Sequence, residues 1–385
     1  MQPPLRLWPA RSSQGYRTPM RRELTIDGRQ IADDTDCFVV AEIGHNHQGN
    51  LDTCKEMFRV AKECGVDAVK LQKRDNRALY TRELYDKPYE NENSFGLTYG
   101  LHREALEFGA AQYRELVSYA AELRLTFFTT VFDFPSADFA AELGLPAFKM
   151  ASGDLKNIPL MTHVAKFGRP MLISTGASTL EDVQRAYEAV AALNKQVAVL
   201  QCTAVYPAAF QELDLRVIET YRRALPEAVI GLSAHDNGIA MAVAAYVLGA
   251  RVIEKHFTLN RAMKGTDHAF SLEPVGMRKL VRDLRRVRTA LGDGVKKSYA
   301  SEGGAYIKMG KSLVAAHPLP AGHVLARDDI AIKSPGGGLP PYDVEKLVGR
   351  RLLVAAGEDA AFSLEMLAVA EALPKAAGAA SSRGK

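Results

Sequence analysis

Five residues able to do chemistry, Glu42, Lys70, Lys149, His235 and His256, each stand at the end of a short apolar run. Phe38-Val39-Val40-Ala41 leads to Glu42, Ala68-Val69 to Lys70 and Gln72, and Ala147-Phe148 to Lys149 and Ser152. Val229-Ile230-Gly231-Leu232 leads to Ser233 and His235, and Val252-Ile253 to Glu254, Lys255 and His256. Two imidazoles at equivalent depth on adjacent strands can bind one divalent metal and leave positions for water and substrate. Two nitrogens among oxygen ligands suit Mn²⁺ or a similar ion, with Mg²⁺, Co²⁺ and Zn²⁺ as alternatives. His47 and His268 rank lower, because each sits on a turn beyond a strand.

Buried lysine is expensive without an anion, so two converging lysines predict a carboxylate or phosphate ligand. Ser152, Gly153 and Ser233 are placed to share that cradle. The bland alternative is that each lysine pairs with a local acid, Glu42 or Asp154, and Schiff-base aldolase chemistry stays open. A carboxylate at Glu42, facing a metal and an anion, can activate water or accept a proton; its plainer role is to neutralise a lysine.

Such groups need a scaffold that delivers strand ends to one mouth. Continuous β-branched runs read as parallel strands buried on both faces. They fall near Phe38–Ile43, Ala68–Leu71, Thr126–Val131, Ala147–Met150, Pro170–Ser174, Ala198–Gln201, Val229–Leu232 and Arg251–Glu254. Helical spacing of apolar residues marks Leu51–Cys64, Ala110–Leu123, Leu180–Leu193, Leu215–Ala224 and Ala240–Leu248 between them. Strict alternation predicts an α/β fold, a (β/α)8 TIM barrel, whose catalytic groups sit at the carboxyl ends of the strands. An open doubly wound sheet is the runner-up, but no Gly-x-Gly-x-x-Gly follows the first strand.

Leu24–Ile31, alternating around Asp27-Gly28, predicts a hairpin before the barrel. The stretch Asp75–Phe108 is too long for an ordinary connection and reads as a lid with Asn91–Gly96 its tip, a decorative surface loop being the alternative. The expected organisation is a disordered leader over 1–22, the barrel over 23–292 and a linker over 293–306. A compact domain of short strands and turns over 307–370 and a disordered tail over 371–385 complete it.

The 385 residues carry a net charge of only +4 and no dense basic tract after the first two dozen, which argues against nucleic acid as a partner. No secretory signal or membrane-length apolar run is present. Cys37, Cys54, Cys64 and Cys202 lack metal-type spacing and read as reduced thiols in a cytoplasmic protein. Cys202, near a strand end, is the one with a reactive alternative to a small core hydrophobe.

From about Leu24 to Val369 the chain resembles the sialic acid synthase (N-acetylneuraminate synthase) family. The segments that carry the resemblance are Ala41-Glu42-Ile43-Gly44-His45-Asn46-His47, Val69-Lys70-Leu71-Gln72, Phe148-Lys149-Met150-Ala151-Ser152-Gly153-Asp154, Ile173-Ser174-Thr175-Gly176, Gln201-Cys202-Thr203-Ala204-Val205-Tyr206-Pro207 and Glu254-Lys255-His256-Phe257-Thr258. The end region, with Ile332-Lys333-Ser334-Pro335-Gly336-Gly337-Gly338, looks like that family's antifreeze-protein-like (SAF, β-clip) domain. The resemblance implies condensation of phosphoenolpyruvate with an open-chain N-acylated hexosamine, giving a nine-carbon 2-keto acid and phosphate. It implies a metal on His235 and His256, phosphoenolpyruvate held by Lys70, Lys149, Ser152 and Ser233, and Glu42 assisting water attack. Gln72, Thr130, Phe132, Asp154, Tyr206 and Asp267 match sugar-side positions. A homodimer with exchanged C-terminal caps is expected.

Four departures stand out, of which Ser334 puts the identity of the sugar, not the chemistry, in question. Ala204 stands where the family often has Asn or Ser, Ala234 replaces an Asp that here appears as Asp236, and Asp154 replaces a Glu of some members. Ser334 stands where an Arg usually reaches toward the N-acyl group. The competing readings are another phosphoenolpyruvate aldol-type synthase making a 3-deoxy sugar acid, and a non-catalytic carbohydrate-binding barrel.

Overall fold

The computed structural model describes residues 21–368. The expected leader, apart from Arg21 and Arg22, and the expected tail lie outside the described residues. Strands β1 (Glu23–Ile26) and β2 (Arg29–Ala32) form the predicted hairpin. Its tip uses Asp27 and Gly28 at φ 50° and 75°, the left-handed pair that a two-residue turn of this hand requires.

Eight parallel strands then close into a barrel: β3 (Phe38–Gly44), β4 (Ala68–Lys73), β5 (Thr126–Val131), β6 (Phe148–Met150), β7 (Met171–Ser174), β8 (Val197–Cys202), β9 (Val229–Ala234) and β10 (Val252–His256), with β10 paired to β3. Strand side chains alternate between faces, and here that alternation separates two apolar clusters. Val39, Val69, Phe127, Ile173, Val199 and Ile253 pack outward against the helices. Phe38, Val40, Ala68, Phe128, Ala147, Leu172, Ala198, Val229 and Val252 fill the barrel interior together with Leu24, Ile26 and Ile31 of the hairpin.

The helices bury one stripe each. In Leu51–Cys64, Cys54, Met57, Phe58, Ala61 and Cys64 are buried, Asn50 caps the first turn, and Gly65 at φ 84° ends the helix. Removing a side chain such as Phe58 from water contributes about 2–3 kcal/mol. The Asp75–Phe108 insertion carries three short helices, Asn76–Leu79, Arg82–Asp86 and Tyr99–Glu104, capped by the side chains of Asp75, Thr81 and Thr98. Asn93, in the expected lid tip, accepts a 2.9 Å hydrogen bond from the Gly265 amide, tying the insertion to the loop after β10.

The chain divides into two compact units at Gly292. In the second, β11 (Ser312–Ala315) pairs antiparallel with β12 (Ile330–Lys333), and further bridges join Val314 to Ala361 and Leu319 to Ala356. Leu313, Leu325, Ile330, Leu347, Leu352 and Phe362 form its own core. A short exposed helix, Gly303–Met309, runs across the boundary between the stretch read as a linker and the second domain. Among the described residues no helix is long and apolar enough to cross a membrane.

Candidate active site

The interior cluster gives way to polar side chains at the carboxyl ends of the strands while keeping the same alternation. On β3 the inward series is Phe38, Val40, Glu42; on β4, Ala68, Lys70, Gln72; on β6, Lys149; on β10, Val252, Glu254, His256. Gly44 lets the chain leave β3 at φ 55°, and a Cβ there would meet Gln72 Nε2 and Glu42 Oε1 at 3.1 Å. The result is a cavity of about 610 Å³.

Its floor holds two lysines and two glutamates, each no more than 4% exposed. Glu42 and Lys70 are partners across β3 and β4 and form an ion pair. Lys70 Nζ also donates to Thr130 Oγ1 at 2.6 Å. Lys149 Nζ donates to Ser174 Oγ at 2.6 Å and to the Met150 carbonyl at 2.9 Å. Glu254 Oε1 lies 3.8 Å from Lys70 Nζ and 4.0 Å from Lys149 Nζ, and accepts from Ser233 Oγ at 3.2 Å.

Burial holds the Lys149 ammonium below its ordinary range. Burial pulls Glu254 the other way, but Lys149 and Lys70 outweigh it and its carboxyl titrates below the usual range. Burial raises Glu42 above that range in spite of Lys70, with Glu254 adding repulsion. One ionised acid and one acid poised to hold a proton therefore stand beside two cations, a set able both to receive an anion and to move a proton. Glu254→Ala is expected to destabilise the barrel by about 3–5 kcal/mol, since Lys149 loses its acidic counter-charge. Urea unfolding measures this, and a loss under about 1 kcal/mol would remove Glu254 from that role.

The two histidine rings lie 5.3 Å apart, centroid to centroid. His235 Nδ1 is 2.8 Å from the Thr203 carbonyl oxygen, which assigns its proton to Nδ1 and leaves Nε2 as a lone-pair donor. His256 Nδ1 is buried without a hydrogen-bond partner, 3.6 Å from Asp267 Oδ2. Burial drives the two imidazoles down to about 3 and about 4, so both are neutral at pH 7, as metal ligation requires. Among the described residues no three His, Cys, Asp or Glu converge on one point. The residues fit a divalent ion held by two nitrogens and completed by water or substrate oxygen.

The NeuB family model matches residues 57–296, and the SAF domain model matches 310–368. The chain belongs to the NeuB family. Among its relatives, human N-acetylneuraminate-9-phosphate synthase is 42% identical over 342 residues, covering 89% of this chain and 95% of the human one. An N,N'-diacetyllegionaminic acid synthase of Campylobacter jejuni is 33% identical, covering 81% and 94%. The N-acetylneuraminic acid synthetase of Leptospira borgpetersenii, solved with citrate, matches at TM-score 0.65 and 29% identity over 75% of this chain and 96% of its own. This NeuB-family chain is an enzyme of the sialic acid synthase type, built as a TIM barrel followed by a SAF domain.

Within the NeuB cavity, Glu42, Lys70, Gln72, Thr130, Phe132, Lys149, Ser152, Tyr206, Ser233, His235, His256 and Asp267 all line the wall. Asp154 does not: it closes the turn Ser152–Asp154, and its Oδ1 accepts from Asn157 Nδ2 at 3.3 Å. Thr130, matched to a sugar position, has its hydroxyl engaged by Lys70. His47 stacks on Phe108 at 4.1 Å, and His268 Nδ1 lies 2.7 Å from Thr258 Oγ1. Asp236 accepts from Lys255 Nζ at 3.0 Å. Ser334, in the second unit, accepts from Lys311 Nζ at 2.6 Å. Sequence reasoning passed over Glu254, Ser174, Arg74 and Arg103 as site residues. Counting by two from Val252, Leu172 and Gln72 would have turned Glu254, Ser174 and Arg74 inward; nothing local marks Arg103.

Proposed function

We propose that this enzyme condenses phosphoenolpyruvate with an open-chain N-acylated hexosamine, giving a sialic-acid-type nine-carbon 2-keto acid and inorganic phosphate. The observation that carries the reading is the floor: two buried ammonium groups next to a raised carboxyl, beside two neutral imidazoles in one cavity.

Lys70, Lys149, Ser152 and Ser233 bind the carboxylate and phosphate of phosphoenolpyruvate. That substrate arrives as an anion, so it compensates the desolvation of both lysines. A divalent cation, Mn²⁺ for preference, held by His235 and His256 would supply Lewis-acid polarisation of the sugar aldehyde. C3 of the enol attacks the aldehyde carbon, forming the new C–C bond and leaving C2 electron-poor. Water adds at C2 while Glu42 takes its proton. Phosphate then leaves with cleavage of the C2–O bond, and C2 becomes the ketone. One water is consumed per phosphate released, and no redox partner is needed. Gln72, bonded to Glu42 Oε1 at 2.7 Å, orients that carboxylate; Phe132, Tyr206 and Asp267 line the sugar side. The relatives' names support an amino-sugar acceptor, and the fused SAF domain supports this reading over a simple 3-deoxy sugar acid synthase. A homodimer in the cytoplasm, where its four free thiols stay reduced, completes the proposal.

The test is phosphate release from phosphoenolpyruvate and Mn²⁺ across a panel of hexoses and N-acyl hexosamines, with mass spectrometry of the product. One phosphate per keto acid, formed only with an amino-hexose, is expected. Release independent of any aldose, or none at all, would overturn the reading.

A further inference from the structure

Next to the catalytic cavity lies a second one, of about 500 Å³, that the chemistry just described does not use. It opens between the end of β4, the two ends of the Asp75–Phe108 insertion and the helix Phe134–Glu142 that follows β5. Its volume falls within the range of small-molecule sites. Among the described residues Arg74 alone lines both cavities.

Three side chains on its wall are buried with polar atoms unused. Asn76, which starts the helix Asn76–Leu79, is 2% exposed, and neither its Nδ2 nor its Oδ1 has a hydrogen bond. Ser136 is 1% exposed with its Oγ unpaired, although its backbone amide donates to Asp133 Oδ1 at 2.7 Å. Glu107, its side chain 8% exposed, accepts at Oε2 from Lys73 Nζ at 3.0 Å and from the Arg74 amide at 3.2 Å, while its Oε1 has no hydrogen bond. Of the eleven buried side-chain polar atoms without a hydrogen bond among the described residues, four lie on these three residues, from three separate segments that meet at one cavity. A buried polar group without a partner carries its full desolvation cost, so packing alone would favour leucine at position 76.

The unused atoms define what would fit. Asn76 offers two N–H donors and a carbonyl, Ser136 a hydroxyl that both donates and accepts, and Glu107 an acceptor. A molecule bearing several hydroxyls is complementary, because each of its hydroxyls also donates and accepts. An anion is not: Asp75, Glu104 and Glu107 outnumber Lys73 and Arg74 on the wall, and Lys73 is already paired with Glu107. Pro135, Phe108 and Phe139 add apolar surface for the C–H face of a ring.

We propose that this second cavity binds an uncharged, polyhydroxylated ring compound of monosaccharide size through Asn76, Ser136 and Glu107, at a site separate from the one where the aldose reacts. The inference goes beyond the synthase reading and does not need it.

The test uses compounds that cannot open to an aldehyde, myo-inositol and the methyl glycosides of mannose and glucose. Calorimetry on the full chain, without phosphoenolpyruvate, compares the wild type with Asn76→Leu and Ser136→Ala. At least one compound is expected to bind the wild type, and Asn76→Leu to weaken that binding roughly 5- to 100-fold, the scale of two lost hydrogen bonds. Thermal unfolding without sugar gives a readout that a merely structural amide would move the other way: Asn76→Leu is expected to melt at or above the wild-type midpoint. Phosphate release by the variants is expected to match that of the wild type. No binding of any compound, affinity unchanged in both variants, or midpoints lowered in both would overturn the inference. Phosphate release lost together with binding would place the compound in the catalytic cavity and overturn it as well. A wild type that binds but releases no phosphate would uphold this site and sink the synthase reading.

Discussion

His256→Ala is expected to lower Mn²⁺-dependent turnover by at least about 10³-fold, the scale of losing a Lewis acid that supplies several kcal/mol to the transition state. The argument starts from burial: His256 is enclosed, neutral at pH 7, and its Nδ1 has no hydrogen-bond partner. An imidazole left in that state inside a polar cavity is either strained or kept for a ligand. His235 stands one strand away with Nδ1 committed to the Thr203 carbonyl, so its free nitrogen is Nε2. Removing either ring leaves a single nitrogen, and Mn²⁺ binding measured by calorimetry should weaken in parallel with activity. Chelation that leaves the wild-type rate untouched, or His256→Ala with unaltered Mn²⁺ affinity, would end the metal assignment.

Lys149→Met is expected to reduce kcat/KM for phosphoenolpyruvate by roughly 10²- to 10³-fold, the loss of one or two charge-assisted hydrogen bonds. The floor explains why the effect exceeds a missing contact. In the native chain two ammonium groups face two carboxyls; in the variant Lys70 alone faces Glu42 and Glu254, and the pocket turns repulsive toward an anion. Methionine keeps the length of the stem, so a thermal unfolding midpoint near that of the wild type will separate lost binding from lost folding. Wild-type saturation by phosphoenolpyruvate in this variant would refute the role.

Much of this architecture is legible in the residue order, because a parallel strand and an amphipathic helix are local patterns. Leu51–Cys64 announces its own ends through Asn50 and Gly65, and Thr126–Val131 announces itself as a buried β-branched run. The same pattern, counted by two, turns Glu42, Lys70 and His256 into one mouth. Counting by two also sorts the crowded strand end Glu254-Lys255-His256: the middle residue points outward to Asp236 while its neighbours face the cavity.

Pairing is another matter. Whether Lys149 meets Asp154, five residues away, or Glu254, more than a hundred away, depends on how the closed sheet brings β6 and β10 to the same depth, a consequence of barrel closure that no local spacing encodes. The meeting of Arg74 with Arg103 around His45 likewise required the insertion to fold back over the mouth. The residue order by itself determined the elements, their alternation and the chemistry available. Only the tertiary structure decided which charges neutralise each other and which are left to receive a ligand, because Coulomb energy follows distance through space, and that distance is set by packing.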